Sequence, residues 1–349
     1  MSKKILNCEM GRIALGTHTG DFSKEDSQRY IQAIIHAIQN GVYTIDGAIN
    51  YRGMLSELDE SAAIHTLIDS GTVQREELFI TSKAGLLFGD IQAGMNPQKY
   101  LSEVLEPNGI KKDDFVEYEG LYQTLNPRFY QIALDKSLDN LGLEYLDVHY
   151  MHIPEISRLK LSIDEFYDKM YTLLNWYEEK VKEGKIRYYG LALEFMVEEP
   201  NDTKWHFEIE EIKEMADEIA GGKSHLRYVL FEYNMLCDSG KTVANQTVSG
   251  NKCSIIEACH KLEIETVASM PFAMGDGFEK YSLSEMLEFA LTGMDHVIVG
   301  SKNTKHIDEI LEEYHKTMNP APFRLPSHDN IANTLLQYLE KPLHSEAKQ

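Results

Sequence analysis

Cysteine is scarce in this chain and is never paired by spacing. Its four copies in 349 residues, Cys8, Cys237, Cys253 and Cys259, form no C-x-x-C motif. That excludes a zinc or redox centre of that type and a disulfide framework, and predicts free thiols in a reducing compartment. Positive charge is also in deficit: 34 lysines and arginines face 56 aspartates and glutamates, a formal net charge of −22. A surface of that sign repels phosphate backbones and anionic lipid, so neither nucleic acid nor a membrane is an expected partner. A small ligand stays open, because its pocket can be locally basic inside an acidic protein. No apolar run is long enough to span a bilayer. The start, MSKKILNCEMGR, lacks the apolar core of a signal peptide, and a cytoplasmic location is the expectation. Absent too is a G-x-G-x-x-G turn after the first apolar run. The glycines there read GTHTG (16–20), which argues against an open doubly wound dinucleotide-binding sheet.

What is present is a chain with 43% hydrophobic and 26% charged residues, ordinary for a globular protein. Short β-branched runs alternate along it with amphipathic stretches. Strands are expected to start at Arg12, Val42, Leu78, Leu146, Arg187, Tyr228, Thr266 and His296. Helices are expected over 26–39, 61–68, 127–141, 162–182, 209–220, 254–262, 283–291 and 305–314. Asn126-Pro127 supplies a cap and a first-turn proline for the third of these, and Gly142 a stop. Regular βα alternation implies parallel strands joined by right-handed crossovers. About eight such units in about 300 residues fit a (β/α)₈ TIM barrel. The expected layout is a single domain over 1–349 with its core at about 10–315. A long insertion follows strand 3 at about 84–122, and a C-terminal tail from about 316 to 349 carries a short amphipathic piece, 331–339. The 84–122 and 238–252 loops are expected to build most of the ligand pocket.

In such a barrel, chemistry sits at the C-terminal ends of the strands. The polar residues there are Asp46, Lys83 and His152, with Tyr51 in the loop after Asp46. A phenol with a pKa near 10 is a weak acid at neutral pH. A lysine ammonium beside it favours the phenolate, and a carboxylate paired with that lysine keeps it charged and placed. A histidine can polarise a carbonyl oxygen. Each residue also has a bland reading: Asp46 as a cap, Tyr51 as a half-buried aromatic, His149 and His152 as satisfied core histidines. Lys83 is harder to dismiss, since a lysine closing an apolar strand must find a partner. Placed together at one end of three strands, the four make a proton donor for carbonyl reduction. A metal site from His149, His152 and Glu155 is disfavoured, because strand alternation sends the two histidines to opposite faces.

At these residues the sequence resembles the aldo-keto reductase family. GVYTIDGAINYRGMLSE (41–57), FITSKAG (79–85) and LDNLGLEYLDVHYMHIPE (138–155) carry the resemblance. EGKIRYYGLAL, FEYNML and VIVGSKNTKHIDEILE extend it over roughly residues 10–315. ASMPFAMG (268–275) is most like the branch containing L-galactose, L-fucose and related aldose dehydrogenases. The resemblance implies a (β/α)₈ barrel and an NAD(P)-dependent oxidoreductase that interconverts an aldehyde, ketone or sugar with its alcohol, NADP(H) ahead of NAD(H). It makes Tyr51 the general acid or base, with Lys83 and Asp46 tuning it and His152 orienting the substrate oxygen. It assigns Gly300, Ser301, Lys302, Asn303, His306 and Glu309 to the adenosine phosphate end of the cofactor, with Lys302 or Lys305 for a 2′-phosphate. Ser269 falls where the family's stacking aromatic sits. Ala192, Leu193 and Leu230 fall where side chains that hold the nicotinamide amide are usual, and none can hydrogen-bond through its side chain. These departures keep two alternatives in view: a non-redox lyase or isomerase, and a cofactor-free regulatory protein on the same barrel. Substrate identity and oligomeric state are left open.

Overall fold

The computed structural model describes residues 8–200 and 203–318. The amphipathic piece expected at 331–339 lies outside them. Eight parallel strands close into a barrel: β1 (Ile13–Gly16), β2 (Thr44–Asp46), β3 (Phe79–Ala84), β4 (Leu146–His152), β5 (Ile186–Ala192), β6 (Leu226–Glu232), β7 (Glu265–Ser269) and β8 (His296–Gly300). Each pairs with its neighbours in chain order, and β1 closes the ring against β8 with Gly16 opposite Gly300. This is the (β/α)₈ TIM barrel expected from the alternation. The outer layer is α1 (Lys24–Gln39), α2 (Leu55–Asp69), α3 (Pro127–Leu141), α4 (Ile163–Lys182), α5 (Ile209–Ala220), α6 (Ile255–Lys261), α7 (Leu283–Gly293) and α8 (Thr304–Met318). Among the described residues, no helix is long and apolar enough to cross a membrane.

Local chemistry explains the helix ends. The Asn126 side chain accepts from Arg128 N and Pro127 opens α3, which stops at Gly142 as expected. Ser162, Ser254 and Ser282 form capping boxes with Glu165, Glu257 and Glu285. Strand alternation then divides the apolar residues into two cores. Met10, Ala14, Phe79, Val148, Tyr150, Ala192, Tyr228, Leu230, Val267 and Ile298 fill the barrel interior. Their strand neighbours, such as Leu15, Met151, Leu191, Val229 and Phe231, face the helices. On β6, therefore, Tyr228, Leu230 and Glu232 share the inner face.

Both loops are more structured than their sequences suggest. The 84–122 insertion holds short helical turns and an antiparallel hairpin, Val116–Tyr118 with Leu121–Gln123. The 238–252 loop contains a second hairpin, Gln246–Val248 with Asn251–Cys253.

Candidate active site

The strand ends bring Asp46, Tyr51, Lys83 and His152 onto one cavity of about 530 Å³. Lys83 is fully buried, with Nζ 2.7 Å from Asp46 Oδ2 and 2.8 Å from the Gly47 carbonyl. Thr81 Oγ1 donates to the other Asp46 oxygen at 2.7 Å. The lysine's partner is thus the carboxylate of the adjacent strand, one pleat below the opening. Lys83 Nζ also stands 4.9 Å from the Tyr51 ring centre. Burial alone would lower the Lys83 pKa, but Asp46 and then Tyr51 outweigh it and hold the ammonium above the ordinary lysine value.

Tyr51 is placed by the chain that follows it. Arg52 and Met54 adopt left-handed backbone conformations, which cost about 1–2 kcal/mol each for residues with a Cβ. Arg52 is fixed there on several sides. Its buried guanidinium pairs with Asp59, donates to Asp21 O at 2.7 Å and to Ser27 Oγ at 3.1 Å, and lies over the Tyr30 ring. Beneath the loop Glu60 accepts from Thr17 Oγ1 at 2.8 Å. A Cβ on Gly47 would come within 2.4 Å of that carboxylate, so any larger residue there would push the Glu60 side chain aside.

The phenol is not acidified in the resting protein. Burial, the largest influence, raises its pKa; Lys83 pulls it back part of the way, while Asp46 and Glu194 push it up. The expected acidifying effect of Lys83 is therefore present but outweighed. His152 is neutral, since burial and then the charge of Lys83 hold its pKa well below the ordinary value. Its ring lines the cavity, and its buried Nδ1 has no partner among the described residues. His149 faces the helix layer, as strand alternation demands, with Nδ1 3.0 Å from Tyr177 Oη and its pKa pushed down to about 3 by burial. Among the described residues, His149, His152 and Glu155 do not bring ligand atoms together as a metal-binding group.

Glu155 has a structural task at the site. Its Oε1 accepts from the backbone N–H groups of Glu194 and Phe195 at 2.6 and 3.1 Å, fixing the turn after β5. Burial dominates its surroundings and lifts its pKa from 4.5 to about 7. A carboxyl raised by folding stabilises fully below its unfolded pKa, and that contribution is lost as pH rises through the folded value. Glu155→Gln keeps the acceptor without the charge. Between pH 5 and pH 8 the wild type should lose on the order of 3 kcal/mol relative to this variant, read as diverging urea midpoints. Parallel pH profiles would remove Glu155 from this role.

Sequence reasoning overlooked several lining residues. His18, from the GTHTG segment read only as a break, packs at a tilt against Tyr51 with ring centres 4.7 Å apart. Burial, then Lys83, keeps it neutral despite Asp46. Glu194 and Glu232 stand one inward position above Ala192 and Leu230. The strand-end rule that found Asp46 would have found all three. The pocket also departs from expectation: Leu86 and Leu121 come from the 84–122 insertion, nothing comes from 238–252, and Ser269 to Phe278 supply a wall instead. Two of these wall residues, Phe272 and Phe278, hold ring centres 5.7 Å apart.

Of the residues assigned to the cofactor's phosphate end, Gly300 lines the cavity, whereas Ser301, Lys302, Asn303, His306 and Glu309 are not part of its lining; Ser269, at the stacking position, lines it too. Asn303 caps α8, accepting from Lys305 N at 3.0 Å. Lys302 is paired: its Nζ sits 2.6 and 2.8 Å from the two Asp26 oxygens. Lys305 is exposed. Outside the tetrad, Glu198, Glu232 and Cys237 bring ligand atoms within 4.8 Å of one another. The Cys237 thiol donates to Glu198 at 3.3 Å, and burial followed by that hydrogen bond lifts its pKa to about 12, so it stays protonated.

The profile of the aldo/keto reductase family matches residues 9–287. An aldo-keto reductase family 1 member C23-like protein from Equus caballus is 28% identical over 137 residues, 39% of this chain and 30% of that protein. An NADPH-dependent D-xylose reductase from Candida boidinii is 26% identical over 185 residues, 48% of this chain and 45% of its own length. The chain thus spans less than half of these curated relatives. A solved aldo-keto reductase (AKR2E5) complexed with NADPH shares the fold with a TM-score of 0.54 at 18% identity, covering 94% of this chain and 84% of that one.

Proposed function

We propose, from the premise that this chain belongs to the aldo/keto reductase family, that it is an NAD(P)-dependent oxidoreductase interconverting a carbonyl compound and its alcohol. The observation that carries this reading is the buried Lys83–Asp46 pair set against Tyr51 in a cavity shared with His152. In reduction Tyr51 Oη gives its proton to the substrate oxygen; in oxidation the phenolate takes it back. Lys83 stabilises the phenolate left behind, and Asp46 keeps Lys83 charged. Neutral His152 donates an N–H to the same oxygen, drawing charge from the carbonyl carbon. Bound NAD(P)H supplies the hydride.

The residues present fit such a cofactor. The cavity reaches from Tyr51 to Gly300, and a Cβ built on Gly300 meets nothing within 4 Å. The next turn leads into the N-terminus of α8, whose free N–H groups suit a phosphate. Ala192, Leu193, Leu230 and Ser269 offer the nicotinamide an apolar face with one hydroxyl. NADP(H) is the favoured form in this reading: Lys302 exchanges Asp26 for a 2′-phosphate, with Lys305 beside it. Titration of the full chain with NADPH and NADH, followed by fluorescence, tests the proposal. Lys302→Ala should weaken NADPH about tenfold, the worth of one charge-assisted contact, while NADH affinity stays within about twofold. Equal losses for both would remove Lys302 from phosphate recognition. Absence of binding below millimolar for either would overturn the oxidoreductase reading and leave the lyase or isomerase alternative, which needs the tetrad but no nicotinamide.

A further inference from the structure

The cavity wall opposite the tetrad carries charge that the proton-transfer chemistry does not use. The lining of the whole cavity includes three carboxylates, Asp46, Glu194 and Glu232, and one ammonium, Lys83, already committed to Asp46. Both histidines are neutral, for the reasons given above. Glu194 makes no side-chain hydrogen bond or ion pair among the described residues. Glu232 receives one neutral bond, from Asn234 Nδ2 at 2.8 Å. Protein walls and the like charges of Glu232 and Glu198 raise the Glu194 pKa, as expected of carboxylates grouped without a cation. The same wall holds Phe272 and Phe278. Aromatic faces beside carboxylates recognise substituted ammonium ions, the faces through cation–π attraction and the carboxylates through charge. Glu194 is near enough to Tyr51 to influence its pKa, so one small molecule can span both.

We infer that the substrate is a carbonyl compound bearing a cationic amine, its carbonyl at Tyr51 and His152 and its ammonium between Glu194 and Glu232 beside Phe272 and Phe278. The inference rests on the oxidoreductase reading for turnover but not for binding. A neutral polyol would use the carboxylates as acceptors while leaving their charges uncompensated. A carboxylated substrate would add a fourth negative charge to the cavity.

Three para-substituted benzaldehydes test this, carrying trimethylammoniomethyl, hydroxymethyl and carboxylate groups, each reduced by the full chain with NADPH. The expected order of kcat/KM is ammonium, then neutral, then carboxylate, with at least a tenfold gap between the extremes. In Glu194→Gln/Glu232→Gln the ammonium-to-carboxylate ratio should fall to within about threefold of unity. That ratio is internal to each protein, so partial misfolding cannot mimic the change. A flat order, a neutral or anionic preference, or a ratio that survives the double substitution would overturn the inference. Calorimetry with benzyltrimethylammonium and benzoate gives a readout without turnover. Selective, Glu-dependent binding of the cation alongside inert aldehydes would uphold the charge selection and sink the oxidoreductase reading instead.

Discussion

Tyr51→Phe is expected to lower kcat for carbonyl reduction by about 10²–10⁴-fold, the range spanned by general acid catalysis. The substitution removes one oxygen and leaves the ring against His18 and His152, whose centres lie 4.7 and 6.0 Å away. Cofactor affinity should stay within about twofold of wild type, because the phenol's work is done on the substrate oxygen. The resting phenol's pKa is raised by burial despite Lys83, so it remains protonated at neutral pH and available as an acid. Its base role in alcohol oxidation then demands higher pH, so oxidation should speed up into the alkaline range, whereas reduction, which needs the protonated phenol, should hold at neutral pH and fall there. Single-turnover kinetics with saturating NADPH make the test. A Tyr51→Phe enzyme within threefold of the wild-type rate would mean that another group delivers the proton.

Lys83→Met carries the second large effect, on stability as well as rate. It leaves Asp46 buried with Thr81 Oγ1 but without its ion-pair partner. Breaking a buried pair by removing one member costs about 3–5 kcal/mol, because the remaining charge is stranded. Lys83 and Asp46 are 1% and 4% exposed, so solvent does little to soften the loss. Adding Asp46→Asn should return most of that stability, since an amide needs no counter-charge, yet leave kcat depressed, because nothing then stabilises a phenolate. Urea unfolding of the single and double variants, read beside their rates, separates the two roles. A Lys83→Met protein as stable as wild type, or a double variant that regains activity, would contradict this account.

Much of this was legible locally. Asn126, Pro127 and Gly142 bound α3 because caps and stops act within a few residues. The βα rhythm led to the closed barrel, since short parallel strands joined by helices have few ways to bury both faces. Lys83 announced its own partner: an ammonium at the end of an apolar strand must be paired, and Asp46 ends the adjacent strand. His18, Glu194 and Glu232 obey the same strand-end rule and were recoverable from sequence. They were obscured by glycines in one case and by neighbouring apolar positions in the others.

The barrel and the placing of Asp46, Tyr51, Lys83 and His152 at one end of it come from the sequence by itself, because each depends on periodicity or on what one residue type requires at a strand end; the family resemblance rests on the motifs around those four residues. Tertiary structure alone decided which wall faces the tetrad. The 238–252 loop folds into a hairpin outside the cavity lining, while Phe272 and Phe278 take its place through a turn in which Met274 and Gly275 both adopt positive φ. It also decided that Lys302 pairs with Asp26 across 276 residues of chain, and that burial outweighs Lys83 at the Tyr51 phenol. Such outcomes depend on distances between remote segments and on how much water the closed barrel excludes, and a linear sequence encodes neither one locally.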